Sequence, residues 1–469
     1  MPRMGCGFLC FLKAAILYVV GHFAISHFGE HFVNKRSGYE KGTCRRFIAI
    51  LNLQWAMIFC SLVIYRQLMA FFDSPFTLIC TYLKPTSLTV EIYRRRVANV
   101  LLLFFLLSHL TYFLYYFDGL IQWLLFEISS ICLGVWAHLM FFCFGFFALN
   151  CVLPFLKGVD CFSNLLEKLA RISFIRLLLW NRQFQAVFSL IVSVCISLVC
   201  FMSADYIYVR TAELPISNLS PKAEGLRIAV LSDLHAGGAV HRDQIAHVVD
   251  RTNDMNADAV FIVGDMTDGT IEHLESRIEP LRHLRSRLGT FMVTGNHDYY
   301  FDDALAWIRL FKSYGIKVLT NSKADLEGIC LVGLNDISSG TSGIPSHEMN
   351  ISSVILECEA SKSVIVLSHN PASAKHISES NLSYNGVDLI ISGHTHSGQF
   401  YVMLPFIYFV LPYVHGLYTV PMKFVSHNTI LLVTAGTLYQ GPPMKMPFYS
   451  NIWQVTLMAK RTSEFVDLD

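Results

Sequence analysis

IAVLSDLH, residues 228–235, decides the fold: the apolar run Ile228–Leu231 ends on Asp233 and His235, one residue apart. The same construction returns four times downstream, as AVFIVGD at 259–265, FMVTGNHD at 291–298, VIVLSHN at 364–370 and LIISGHTH at 389–396. Short apolar runs rich in Val and Ile read as buried parallel strands. The polar residues that follow them then sit on loops at the strand ends, where open α/β sheets place their sites. A lone D-x-H or H-x-H carries little weight. Five such motifs in one order, each behind a strand, point to one constellation.

That constellation offers carboxylate, imidazole and amide ligands for two adjacent metal ions. Two cations about 3.5–4 Å apart need a shared anionic ligand to offset their repulsion. Asp265, directly after a strand and a glycine, is placed for that. Asp233 and His235 come from one turn and chelate a first ion, which His396 completes. Asn296, His369 and His394 remain for the second. Mixed nitrogen and oxygen ligation suits Mn, Fe or Zn better than Ca. Gly264, Gly295 and Gly393 stand just before ligands, where sharp turns and close backbone approach are needed. A hydroxide bridging the ions would serve as nucleophile, since metal coordination lowers the pKa of water toward neutrality. His297 adjoins Asn296 without being needed as a ligand, which makes it the candidate general acid. Asp268 is the carboxylate expected to orient it, with Asp298 as the alternative.

The order D-x-H, G-D, G-N-H-D, H, G-H-x-H resembles the calcineurin-like metallophosphoesterase superfamily over about residues 225–460. GHTHSGQ at 393–399, with Leu404-Pro405 and His415-Gly416-Leu417-Tyr418 beyond it, is similar to the YkuE- and YaeI-like membrane-associated branch. The resemblance implies a four-layer α/β/β/α sandwich and the same seven ligands, and it pairs His297 with Asp268. Ser397 stands where that branch usually has glycine, which bears on the loop carrying Gln399. A single histidine on a loop is ordinarily structural or exposed. His241, His247, His273, His283, His347, His376, His415 and His427 therefore carry no assigned role.

The other half of the chain is of a different kind. The 469 residues are 53% hydrophobic and only 15% charged, with mean hydropathy +0.45, and the apolar excess lies in roughly the first 205. Five stretches approach the roughly 20 apolar residues that a bilayer span needs: 7–27, 47–65, 99–117, 131–153 and 184–204. Residues 159–180 repeat apolar positions at helical spacing between Lys168, Arg171 and Arg176, the pattern of an amphipathic helix on a membrane surface or of a connecting helix. The expected organisation is a polytopic α-helical membrane region over 1–204, a linker over 205–224, an α/β metallophosphoesterase domain over 225–460, and a tail over 461–469. Glu127, His109 and His138 lie in or beside the apolar stretches, where ionisable residues mark either a polar pathway or satisfied partners on neighbouring helices.

With five spans, Lys and Arg favour the side holding the N-terminus, eleven to six. This bias places the C-terminal half in a lumen or outside the cell. Three N-x-S sequons, Asn218, Asn350 and Asn381, fall in that half. So do Cys330 and Cys358, while eleven of the 13 cysteines lie before residue 201. Cys330 and Cys358 read equally as a disulfide or as two buried thiols. A net charge of +1 argues against nucleic acid as a partner. The function expected is a membrane-anchored phosphoesterase acting on a phosphate ester or pyrophosphate, a lipid-linked one included. The rival classes are a non-catalytic membrane scaffold and a transporter with an accessory domain.

Overall fold

The computed structural model describes residues 4–36, 38–72, 87–115, 120–301, 304–382, 386–425 and 428–460. The chain divides into two compact units. The first comprises Met1–Arg36, Cys44–Leu114 and Ile128–Leu198; the second comprises Ser37–Thr43, Tyr115–Glu127 and Val199–Asp469.

The first unit is helical. Its long helices are α1 (Met4–Val33), α2 (Gly38–Met69), α3 (Ser87–Leu114), α4 (Leu120–Leu156) and α7 (Arg182–Ser203), some of which run into the second unit. Among the described residues, four helical stretches are long and apolar enough to cross a membrane: Glu40–Phe72, Leu88–Leu114, Leu124–Leu156 and Arg182–Ser203. Each begins ahead of the apolar segment read from sequence, because helical hydrogen bonding continues into polar flanks such as Arg94–Arg96, while Leu88–Leu114 and Arg182–Ser203 end short of the expected 117 and 204. The segment 7–27 lies within α1, where the side chains of residues 1–15 are outside the described set. The 159–180 segment forms two helices rather than one, α5 (Asp160–Leu169) and α6 (Ser173–Trp180). Ile172 is extended between them and is the N-cap of the second, which no side chain caps. Phe162, Leu165, Ile172 and Phe174 remain exposed.

Several of the bundle's polar groups find partners in one another, although the buried hydroxyls of Thr111, Ser129 and Ser193 have none among the described residues. His109 is held on both ring nitrogens, by Gln54 at 2.7 Å and Ser61 at 3.1 Å. Trp136 donates to the same Ser61 hydroxyl at 2.9 Å. His138 Nδ1 meets the Gly134 carbonyl and Ser197. Gln185 joins Gln67 and Asn150. Buried polar side chains between apolar helices need such partners.

The second unit is built on two six-stranded mixed sheets. One has the order β1 (Tyr208–Ile216), β12 (Asn451–Ala459), β2 (Arg227–Leu231), β3 (Ala259–Val263), β4 (Thr290–Val293), β5 (Lys317–Val318). The other has the order β10 (Gly416–Pro421), β11 (Asn428–Val433), β9 (Leu389–Ser392), β8 (Val364–Leu367), β7 (Ile329–Gly333), β6 (Ser322–Leu326). Strands β2 to β5 run parallel, as do β7, β8, β9 and β11. The stretch read as a linker contains β1, which pairs with β12 along all nine residues. Its first six residues alternate half-buried and exposed, as one covered face requires, and Pro215 suits an edge position.

Side chains alternate across each strand, so each sheet has two apolar faces. Phe261, Val263 and Phe291 of one sheet join Leu331, Ile365 and Ile391 of the other in one core cluster. Val366, Ile390 and Leu431 face away from it, under α11 (Ile351–Ile355) and α12 (Ser373–Glu379), with Ile355, Ala374 and Ile377 in the same second cluster. The opposite outer face of the first sheet, with Val260, Ile262 and Met292, is also buried. Its crossover helices are α8 (Arg242–Asp254), α9 (Ile271–Ile278) and α10 (Ala304–Ser313). This is the four-layer α/β/β/α arrangement. Cys330 of β7 and Cys358 form a disulfide, with Cα atoms 5.9 Å apart.

Candidate metal centre

The loops leaving β2, β3, β4, β8 and β9 gather at the carboxyl ends of both sheets. Backbone bonds tie the first two together: Asp233 N–H donates to the Gly264 carbonyl at 2.9 Å and His235 N–H to that of Asp265 at 3.1 Å. The turns are tight enough that five of the seven candidate ligands adopt positive φ: Asp233, His235, Asp265, His394 and His396. Each such non-glycine residue costs on the order of 1–3 kcal/mol, and strain of this kind is tolerated where function demands a geometry. Gly264, at φ 85°, has the backbone nitrogen of Gly295 only 2.5 Å from where a Cβ would stand. No other residue fits there.

Asp233, His235 and His396 form one group of potential ligand atoms, and Asp265, His369 and His394 form another. Asp265 lies between them, its Oδ2 3.1 Å from His369 Nε2 and 3.7 Å from His235 Nε2. His396 Nε2 stands 3.5 Å from Asp233 Oδ1 and 2.9 Å from His235 Nε2. Two imidazole nitrogens that close need a proton or a cation between them. Asn296 Oδ1 is buried without a hydrogen-bond partner among the described residues, while its amide nitrogen donates to the Tyr300 hydroxyl at 2.7 Å. An orphaned buried acceptor costs about 1–3 kcal/mol unless something else satisfies it. The donor set, three imidazoles and an amide oxygen around two buried carboxylates with His394 beside them, fits a pair of divalent ions.

Electrostatics agree. Burial, His235 and Lys445 hold the His396 imidazole well below its ordinary value, in the neutral form that ligates. Burial opposes the charging of His235, but Asp268, Asp265 and Asp233 outweigh it and raise its pKa to about 9. Protons therefore compete with a cation at His235. Burial pushes the Asp265 carboxyl up, yet His369, His297 and His235 bring it well below the carboxylate range.

His297 stands outside the Asp265–His369–His394 group but forms a third group of potential ligand atoms with His235 and Asp265. Its Nδ1 lies 2.7 Å from Asp268 Oδ1, and the same oxygen is 2.9 Å from His235 Nδ1. Asp268 thus orients both a candidate ligand and the candidate acid. Asp298 does something else: it accepts the backbone N–H groups of Gly295, Asp265 and Met266 at 2.8–3.2 Å, fastening the β3 and β4 loops together.

Several neighbours had no signal in the sequence reading. Gln440 meets His297 Nε2 at 2.9 Å and is pinned by Gln399, whose amide bonds the Gln440 and Pro442 backbones. The Tyr115 hydroxyl reaches His297 Nδ1 at 2.7 Å. Lys445 is fully buried and donates to the Gly436 and Leu438 carbonyls, and burial pushes its pKa down to about 7. Ser397 sits at φ 54°, in a backbone region that glycine enters freely.

Residues 226–398 match the family model of the calcineurin-like phosphoesterases. The chain is 33% identical over 368 residues to a zebrafish transmembrane protein with metallophosphoesterase domain, covering 76% of this chain and 79% of that one. That alignment is longer than the sheet domain alone. A cow protein of the same description is 34% identical over 261 residues, 54% of this chain and 57% of its own length. An uncharacterized metallophosphoesterase of Bacillus subtilis, YkuE, is 28% identical over 198 residues, 40% of this chain and 64% of that protein.

Proposed function

Because this chain belongs to the calcineurin-like metallophosphoesterase family, we propose that it is a membrane-anchored phosphoesterase working through two divalent ions on a phosphate ester or pyrophosphate. The observation that carries the reading is the placement of Asp265 between the two groups of potential ligands. Asp233, His235 and His396 would hold one ion, Asn296, His369 and His394 the other, with Asp265 shared. Bound there, such ions supply a nucleophile at neutral pH and neutralise phosphoryl oxygens in an in-line displacement.

The chain's own part is positioning and proton transfer. Asp298 clamps the loops, so the ligands are set before substrate arrives. Asp268 accepts the Nδ1 proton of His297, whose Nε2 accepts the Gln440 amide N–H until it is protonated and turned to the leaving oxygen. His297 then protonates the departing oxygen as general acid. A scaffold without activity would be free to lose ligands, and all seven are present.

Two observations support a lumenal or extracellular catalytic unit. A disulfide persists in oxidising compartments. Asn218, Asn350 and Asn381 are all exposed, as glycan acceptors must be. Tethering to a bilayer favours a lipid-linked substrate.

The test is hydrolysis by purified full-length protein, with metal content measured, against nitrophenyl phosphates, nucleotide pyrophosphates and lipid phosphates. Turnover lost to chelation and restored by Mn, Fe or Zn is expected. No turnover on any of these with two ions bound would overturn the reading. Lipid profiles of null cells rescued with active or Asp265→Asn protein then name the substrate.

A further inference from the structure

The loop that follows His396 ends in an exposed apolar helix that no catalytic role explains. Between Gly398 and Met422 the sequence contains no Lys, Arg, Asp or Glu. Within it, α13 (Leu404–Val410) presents Phe406, Tyr408, Phe409 and Val410 at 50%, 58%, 92% and 71% exposure, with Tyr401, also exposed, just before it. A soluble surface rarely carries so many large apolar side chains together. Seven residues span only about 10 Å, so the helix cannot cross a bilayer. It can lie in the headgroup boundary.

Its place in the second unit says what covers it. The last turn of the span α7, from Val199, belongs to that unit. It is built in by hydrogen bonds: Lys445 N–H to the Cys200 carbonyl at 3.0 Å, Ser203 Oγ to the Lys445 carbonyl at 2.6 Å, and Ser450 Oγ to the Ala204 carbonyl at 2.7 Å. The next residue, Met446, donates to the Gln399 carbonyl at 3.0 Å. Gly398, before Gln399, packs on Ile407 of α13. Aromatic rings pack just beyond the end of α7: Tyr206 on Tyr208 at 4.5 Å, and Tyr208 on Phe448 at 4.7 Å. The C-terminal end of a helix long and apolar enough to cross a membrane is therefore joined through a few bonded residues to α13.

We infer that α13 and its flanking aromatics dock the catalytic unit on the bilayer that α7 crosses, with Phe406, Phe409 and Val410 in the acyl boundary. Tyr401 and Tyr408 suit the headgroup level, as amphipathic rings do. Because α13 extends the loop that bears His396, docking sets the candidate metal centre at the membrane surface. This placement stands on exposure and connectivity and does not require the phosphoesterase reading.

The test uses the full-length protein in phosphatidylcholine liposomes containing a clickable phosphatidylcholine. p-Benzoylphenylalanine is introduced at Phe409 or, as the control, at Leu356, which is also exposed but lies beyond α11. Illumination is expected to label lipid from position 409 about tenfold more than from 356. Equal lipid labelling at the two positions would overturn the inference. So would cross-links from 409 that join two copies of the chain, since the face would then be a dimer contact.

Discussion

Histidines are partly or fully enclosed in both units of this chain, in opposite surroundings. In the helical unit, His109 has a partner on each ring nitrogen, Gln54 and Ser61, and the backbone around it is regular helix. In the sheet unit, His235 and His396 point ring nitrogens at each other, Asn296 Oδ1 has no partner among the described residues, and the backbone is strained. Every non-glycine residue with positive φ among the described residues lies at or after Asn218. Burial alone does not mark a ligand site. Convergent and unsatisfied donor atoms held on a costly backbone do.

The sharpest way to break that contrast is Asp265→Asn. The amide keeps the shape but not the charge that two cations would share. Turnover is expected to fall by on the order of 10³-fold or more, with at least one ion lost per chain and melting nearly unchanged. Full metal occupancy with normal turnover would refute the shared position.

His297→Ala separates the acid from the ligands around it. Metal content should hold, because seven other residues supply the ligands. Turnover should fall about 10²–10⁴-fold on an alkyl phosphate, the range of general acid catalysis, and much less on a nitrophenyl ester, whose leaving group needs no proton. Asp268→Asn should show the same differential more mildly, with some loss of metal affinity, since Asp268 Oδ1 also holds His235. Equal losses on the two substrates would reduce His297 to a phosphate-binding role.

Much of this site was legible because each candidate ligand follows its strand directly: β2, β3, β4, β8 and β9 coincide with the five apolar runs to within a residue. Chain order thus stood in for spatial order. Asp268 was also within reach, three residues past Asp265. Gln440, Lys445 and Tyr115 were not, since they come to His297 and the Asp233 loop from segments more than 140 residues away with no local pattern to mark them. Strand β1 was hidden for another reason. An edge strand carrying Arg210, Thr211 and Glu213 lacks the apolar run that betrays a buried one. The break at Ile172 escaped because helical periodicity continues across it.

His109→Ala examines the other side of the contrast. It takes the partner from the Gln54 carbonyl oxygen and leaves Ser61 with Trp136 alone, and interhelical polar contacts in membranes are worth about 0.6–2 kcal/mol each. Thermal stability of the full-length protein should fall by that order, while metal content and turnover stay near wild type. Loss of bound metal in this variant would mean that the helical unit's histidines are not merely structural.

The smallest effect expected is a gain. Ser397 holds φ 54° and ψ 28° beside candidate ligand His396, and its hydroxyl is buried with no partner among the described residues. A left-handed L-residue costs about 1–2 kcal/mol, which Ser397→Gly would relieve. Glycine also widens the unfolded ensemble, at a cost of about 0.4–1 kcal/mol. The net should be stabilisation of about 0.5–1 kcal/mol, read as a higher melting temperature. Removing the orphaned hydroxyl acts in the same direction. Activity tells which kind of strain this is. If the φ at 397 serves only to carry the chain from His396 to Gln399, glycine keeps metal content and turnover while raising stability. A variant that melts higher but binds metal more weakly would show that the serine's restricted backbone helps hold His396 in place. A variant that melts lower would show that the left-handed turn is not under strain at all, and the contrast between a relaxed helical unit and a strained site would lose one of its supports.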